Sequence, residues 1–139
     1  MKPKFRTWDK ENKKMLLVNG ICNLFWENTF FECYELVPDP KGKREYELIN
    51  HRIDFEDCVL MQSTGLVDKN GQEIFEGDIV HAYSEDARLI GTIEYFDNAY
   101  CIKTKNGVYN SLWINAEYYE VIGNIYENPE LLEEETNDQ

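Results

Sequence analysis

The stretch LIGTIEYFDNAYCIKTKNGVYNSLWI, Leu89 to Ile114, decides the fold class. On an extended chain Leu89, Gly91, Ile93 and Tyr95 fall on one face, and Ile90, Thr92, Glu94 and Phe96 on the other. That period of two belongs to a strand. Asp97-Asn98 then turns the chain, and Tyr100 to Lys105 pairs back. Asn106-Gly107 joins that strand to the next, Val108 to Ile114. An Asn-Gly pair between alternating runs signals a hairpin, because both central residues of a type I′ turn take positive φ. The stretch therefore predicts an antiparallel meander.

The same rhythm runs outward in both directions. Upstream, Asp78 to Tyr83 reads as a strand and Glu73-Ile74-Phe75 as a shorter one, separated by the turn Glu76-Gly77. Ser63 to Asp68 leads into the turn Lys69-Asn70-Gly71-Gln72. Further back, Asp57 to Gln62, Glu45 to Asn50 and Thr29 to Val37 are strand candidates, and Arg52 to Glu56 is a candidate helical turn. Pro38-Asp39-Pro40-Lys41-Gly42-Lys43 is a loop, since two prolines remove donors and a glycine frees φ. Near the start, Phe5 to Trp8 and Met15 to Val18 flank a polar turn and read as a hairpin. Asn19-Gly20 reads as a second turn, followed by a strand over Ile21 to Trp26. Downstream, Tyr118 to Tyr126 is the last strand, with Gly123 marking a bulge or a close contact. Asn128 then suits a helix cap, Pro129 the first helical position, and Glu130 the positive end of the helix.

The expected architecture is mainly β: an N-terminal β-hairpin subdomain over residues 1–60, a small SH3-like β-barrel over 61–126, and a short helical turn with an acidic tail over 127–139. The chain has 139 residues, 42% hydrophobic and 14% aromatic, enough for a core and against disorder. Its nine Tyr, seven Phe and three Trp favour strands.

Charge narrows the partners. Net charge is −13 with a pI near 4.5. After Tyr126 come Glu127, Glu130, Glu133, Glu134, Glu135 and Asp138 with no base, and removing them leaves −13 + 6 = −7, so the body is acidic as well. The run after Leu132 reads as frayed and solvated. A phosphate backbone or an anionic membrane is repelled by such a surface, and a basic protein partner or an uncharged ligand is favoured. Solubility alone also accounts for the charge.

Four cysteines, Cys22, Cys33, Cys58 and Cys101, form no C-x-x-C pair, and His51 and His81 lie far from any close cysteine pair. No metal site or cofactor is expected. Met1-Lys2-Pro3-Lys4 runs into Phe5 without an apolar leader, and no window reaches the ~18–20 apolar residues of a membrane span. The expected location is therefore cytoplasmic, with reduced and mostly buried thiols.

The segment Leu60-Met61-Gln62-Ser63-Thr64-Gly65-Leu66-Val67-Asp68-Lys69-Asn70-Gly71-Gln72-Glu73-Ile74-Phe75-Glu76-Gly77-Asp78-Ile79-Val80 resembles the signature of YopX-like proteins. Lys4-Phe5-Arg6-Thr7-Trp8-Asp9 is similar to that family's opening, and Glu120 to Leu132 (EVIGNIYENPELL) to its close. These anchors lie in family order across nearly the whole chain. The resemblance implies a small accessory protein encoded by a phage or prophage of a Gram-positive bacterium, and it supplies no catalytic residue. Gly77 to Tyr126 is also similar to SH3-like barrels, in which a GD-x-V strand precedes a G-x-I/V strand.

The candidate site residues of the signature are Gly65, Asp68, Asn70, Gly71, Gly77 and Asp78. Gly65, Gly71 and Gly77 recur every six residues and suit turns with positive φ, with Phe75, Ile79 and Val80 as core. On this reading the signature marks a fold, not a ligand site. Asp68-Lys69-Asn70-Gly71 resembles the start of a calcium loop, but an EF-hand places its glycine at position 6 and here it stands at position 4. No G-x-S-x-G, H-E-x-x-H or phosphate loop occurs, so no catalytic residue is assigned, although unmarked carboxylate pairs remain open.

Three functional expectations follow. The first is a non-enzymatic protein-binding module that engages a host or phage protein through its acidic surface, with mimicry of DNA phosphates as a sharper form. The second is a small nucleic-acid-binding barrel. It would use Lys4, Arg6 and Trp8 within the basic, aromatic-interleaved N-terminus that also holds Lys2, Phe5, Lys10, Lys13 and Lys14. An enzyme acting through unmarked carboxylates is a third. Self-association is expected too, because many short strands leave sheet edges that a second copy can close.

Overall fold

The computed structural model describes residues 4–24, 27–83, 88–105, 107, 109–112 and 116–137. Lys2, the Phe25-Trp26 end of one expected strand, and Asn106, Val108 and residues 113–115 of the expected Asn-Gly hairpin lie outside the described residues. The chain divides into two compact units, which separate between Met61 and Gln62.

The first unit holds β1 (Phe5–Asp9), β2 (Lys14–Cys22), β3 (Phe30–Pro38), β4 (Tyr46–Asp54) and the start of β5 (Cys58–Val67), in the order β4-β3-β2-β1-β5. Asp9 builds the first hairpin. Its Oδ1 accepts the backbone N–H of Glu11 at 3.0 Å and of Asn12 at 3.1 Å, and its Oδ2 accepts the Asn12 amide at 2.9 Å. Lys13 takes φ +54 to bring Lys14 opposite Asp9. β2 does not stop at Asn19-Gly20. The expected turn is a bulge, with a register shift between Val18 and Gly20, and the strand runs on to Cys22. β3 and β4 pair regularly from Phe30 opposite Asp54 to Pro38 opposite Tyr46. β4 runs past the expected helical turn at Arg52, which forms instead as a 3₁₀ turn over Phe55–Asp57. Leu16, Phe31, Cys33, Ile53 and Cys58 are the core. Phe31 and Ile53 face each other across the β3–β4 ladder, so they bury on one side of the sheet, and each such side chain contributes ~1.5–3 kcal/mol.

The second unit begins with the remainder of β5, against which β6 (Glu73–Phe75) pairs. Its sheet has the order β10-β9-β8-β7-β11, from β7 (Asp78–Tyr83), β8 (Arg88–Phe96), β9 (Ala99–Thr104), β10 (Tyr109–Ser111) and β11 (Glu120–Asn124). Asp97 and Asn98 take φ +52 and +66 and close the β8–β9 hairpin, Phe96 opposite Ala99. Gly91 is required by close packing, since a Cβ there would stand 2.5 Å from Ile102 Cγ2 and 2.8 Å from the Lys103 carbonyl oxygen. Ile74, Val80, Ile93, Ile102, Leu112, Ala116 and Tyr119 form the core.

Three expectations change here. Among the described residues the sheet does not close into a barrel: closure requires the outer strands to pair, and β10 and β11 stand at opposite edges with β9, β8 and β7 between them. Phe75 is half-buried, and its neighbour Ile74 enters the core in its place, as alternation along β6 dictates. The C-terminal turn is an eight-residue helix, α1 (Glu130–Asn137). Its approach is fixed by Asn128, whose Oδ1 accepts the Asn124 N–H at 3.2 Å. That side chain lies against Gly123, at the register shift of β11.

Candidate functional site

The signature residues converge on backbone. Asp68, 3% exposed, is the hub. Its Oδ1 accepts the N–H groups of Asn70 and Gln72, each at 2.8 Å, and its Oδ2 accepts the Val121 N–H at 2.9 Å. One carboxylate thus closes the 68–72 turn and ties it to β11. Gly71 supplies the φ of +81 on which the turn depends. Asn70 and Lys69 lie over Glu120, at 3.4 and 3.7 Å, and the same Glu120 carboxylate stands 3.3 Å from His81 Nε2. Asp78, 2% exposed, accepts the Phe75 N–H at 2.8 Å. Gly77 donates to Ile93 O and accepts from Ile125 N, both at 2.9 Å, which leaves no room for a ligand at its peptide groups. Gly65, with φ +79, sits inside β5 where the ladder to β6 slips between Ser63 and Val67, so it bends a strand instead of making a turn. Among the described residues, no group of three or more His, Cys, Asp or Glu side chains is placed to hold a metal ion.

β1 places the basic N-terminal candidates. Lys4 is exposed, Trp8 half-buried, and Arg6 only 9% exposed. Lys10 Nζ donates to Glu56 O at 3.3 Å, and Lys14 Nζ pairs with Glu35 at 3.3 Å. Glu35 also meets His51 Nε2 at 3.0 Å. The His51 hydrogen bond is the largest cause holding the Glu35 carboxyl below the usual range, with Lys14 adding to it against the opposing effect of burial. Burial would raise Asp9, but the bonds from Asn12 and Glu11 outweigh it and hold that carboxyl below its ordinary value. Lys10 and Lys14 are therefore committed to interactions within their own unit.

Sequence reasoning missed an open cleft of ≈ 830 Å³ in the first unit. Its apolar lining is Ile21, Leu24, Phe31, Phe55 and Leu60. Phe55, 58% exposed, presents its ring 6.3 Å from that of buried Phe31, and Leu24 is 60% exposed. The backbone fixes this arrangement: Phe55 N donates to Thr29 O at 3.0 Å, and Thr29 Oγ1 donates to Asn23 O at 2.9 Å. Glu27, Asp54, Glu56 and Asp57 stand around the apolar floor, and Arg52, stacked 3.6 Å over the Phe30 ring, is the one base among the lining residues. The available signal was the run Asp54-Phe55-Glu56-Asp57, an aromatic set among acids.

The model of the YopX protein family matches residues 4–133. Among solved structures, protein EF1440 from Enterococcus faecalis is similar, at 34% identity and a TM-score of 0.60, covering 95% of this chain and 99% of its own. Protein yopX from Bacillus subtilis shares the fold at 23% identity and a TM-score of 0.58, covering 93% of this chain and 97% of its own. No curated protein matches.

Proposed function

The chain belongs to the YopX protein family, and from that premise we propose that it is an accessory protein of a phage or prophage that binds a protein partner, without catalysis, through its acidic surface. The observation that carries this reading is the cleft of the first unit, in which exposed Leu24 and Phe55 lie among Glu27, Asp54, Glu56 and Asp57. Exposed apolar groups ringed by charge mark interaction surfaces, and aromatic anchors in pockets carry most of the energy of protein interfaces. The complement of such a surface is an apolar side chain flanked by lysine or arginine. The net charge of −13 supports the same partner, since it speeds encounter with a basic surface and disfavours phosphate. Burial of Arg6 weighs against Lys4, Arg6 and Trp8 acting as a nucleic-acid patch.

Selection of displayed peptides against the immobilised protein tests this. Enrichment of sequences with Leu, Phe or Met beside Lys or Arg is expected, with binding lost on Phe55→Ala and on Asp54→Lys/Asp57→Lys. Enriched peptides that are acidic, or that bind these variants as well as the parent, would count against the reading.

A further inference from the structure

The sheets protect their other edges and leave β4 open. Among the described residues β6 and β10 are three residues long, and five-residue β11 is bulged between Val121 and Gly123. Short edges and bulges are the devices by which proteins prevent unwanted pairing. β4 has neither. It is nine residues long, contains no proline and no lysine, stands at the end of its sheet, and keeps unbroken register with β3.

Its outward face carries exposed apolar groups at its N-terminal end, ahead of exposed Asn50, Arg52 and Asp54. Tyr46 and Leu48 are each 51% exposed, and Leu36, directly opposite Leu48 on β3, is 56% exposed. Charge identifies what can pair with this edge. From Asp39 to Asp54 the bases Lys41, Lys43, Arg44 and Arg52 balance the acids Asp39, Glu45, Glu47 and Asp54, so the segment sums to 4 − 4 = 0 in a chain of −13. Two copies of so acidic a protein repel over most of their surfaces, and at β4 they do not.

The strand is also complementary to itself. When β4 pairs antiparallel with a second β4 about an axis beside Ile49, Glu47 of each copy faces His51 of the other, and Tyr46 faces Arg52. A carboxylate facing an imidazole that can hydrogen-bond to it, and an aromatic ring facing a guanidinium, are both favourable across strands. We infer that β4 is an interface between two copies of this chain, joined edge to edge about a two-fold axis so that the sheet of the first unit continues from one copy into the other. Arg52 and Asp54 belong both to β4 and to the lining of the cleft, but the inference requires no partner in the cleft.

Sedimentation equilibrium of the full chain from low to high micromolar concentration tests it. A dimer of twice 16.5 kDa is expected, with Leu48→Glu raising the dissociation constant at least ~10-fold, about 1.4 kcal/mol, while thermal melting is unchanged at concentrations where both proteins are monomeric. Mixing Glu47→Lys with His51→Glu should yield a heterodimer tighter than either variant alone, because only the mixture sets the introduced lysine against the introduced glutamate and keeps the parent Glu47–His51 pair at the other end. In the unmodified protein, amide exchange along β4 should slow as concentration rises, a readout that needs no variant to fold. A monomer at high micromolar concentration with freely exchanging β4 amides overturns the inference, as does any oligomer that Leu48→Glu and Tyr46→Glu both leave intact.

Discussion

Replacing Asp68 tests the claim that the family signature is a device for folding. The carboxylate accepts three backbone N–H bonds at 2.8, 2.8 and 2.9 Å and is 3% exposed. Asp68→Ala removes the acceptor for all of them. Asn70 and Gln72 are surface residues, so their N–H groups can recover water and cost ~0.5–1 kcal/mol each, whereas the half-buried Val121 N–H costs ~1–2 kcal/mol. The expected loss is ~2–4 kcal/mol, a sizeable share of the ~5–15 kcal/mol that holds a domain folded. At ~4–8 °C per kcal/mol for a unit of this size, melting should fall by roughly 8–32 °C. Asp68→Asn keeps an oxygen for the turn but turns an amide N–H₂ toward Val121, and should lose ~1–2 kcal/mol. Urea denaturation followed by circular dichroism measures both variants, and amide exchange at Val121 localises the effect. A loss below ~1 kcal/mol for Asp68→Ala, or a larger loss for Asn than for Ala, would refute the reasoning.

The glycines separate close packing from backbone conformation. Gly91→Ala meets Ile102 and the Lys103 backbone and should cost ~2–3 kcal/mol, whereas Gly71→Ala, with open space but φ +81, should cost only ~1–2 kcal/mol, an order that denaturant midpoints reveal. Burial pushes the Cys33 thiol up to about 11, with the charges of Cys58 and Asp9 adding to it, and burial likewise raises Cys58. Alkylation of the folded protein at mildly alkaline pH should therefore label half-buried Cys22 first, and Cys33 and Cys58 only on unfolding, as peptide mass mapping would read. Asp9 has a folded pKa below its ordinary 3.8, so its contribution is fully present above that value and is lost as pH falls through the lower, folded one. Urea midpoints should accordingly drop in acid, and Asp9→Asn should flatten that slope.

The sequence shows the mainly β class and most hairpins, because alternation and turn chemistry are local. Asp97-Asn98, Asp68 to Gln72 and the 39–45 loop all follow from residues that accept positive φ or bond their own backbone. Bulges are less legible. Asn19-Gly20 and Gly65 carry turn chemistry yet sit inside strands, since pairing to β3 and β6 supplies partners that local sequence does not reveal. The open sheet was hidden for a similar reason: barrel closure depends on whether β10 and β11 meet, which is a property of strand order. The signature could be read as a fold device from its glycines, but the reach of Asp68 to Val121 spans 53 residues and required the structure. The cleft was invisible because Ile21, Leu24, Phe31, Phe55 and Leu60 come together from separate elements.

The central claim, protein binding through the acidic first-unit cleft, is tested most directly by capture from a bacterial lysate. The tagged chain and its Phe55→Ala/Asp57→Lys variant would be compared, each with and without nuclease, by mass spectrometry. The account predicts a protein, with a basic contact surface, that the unmodified chain retains after nuclease and that the variant loses. Retention of the same protein by the variant, or capture that disappears with nuclease, would contradict it.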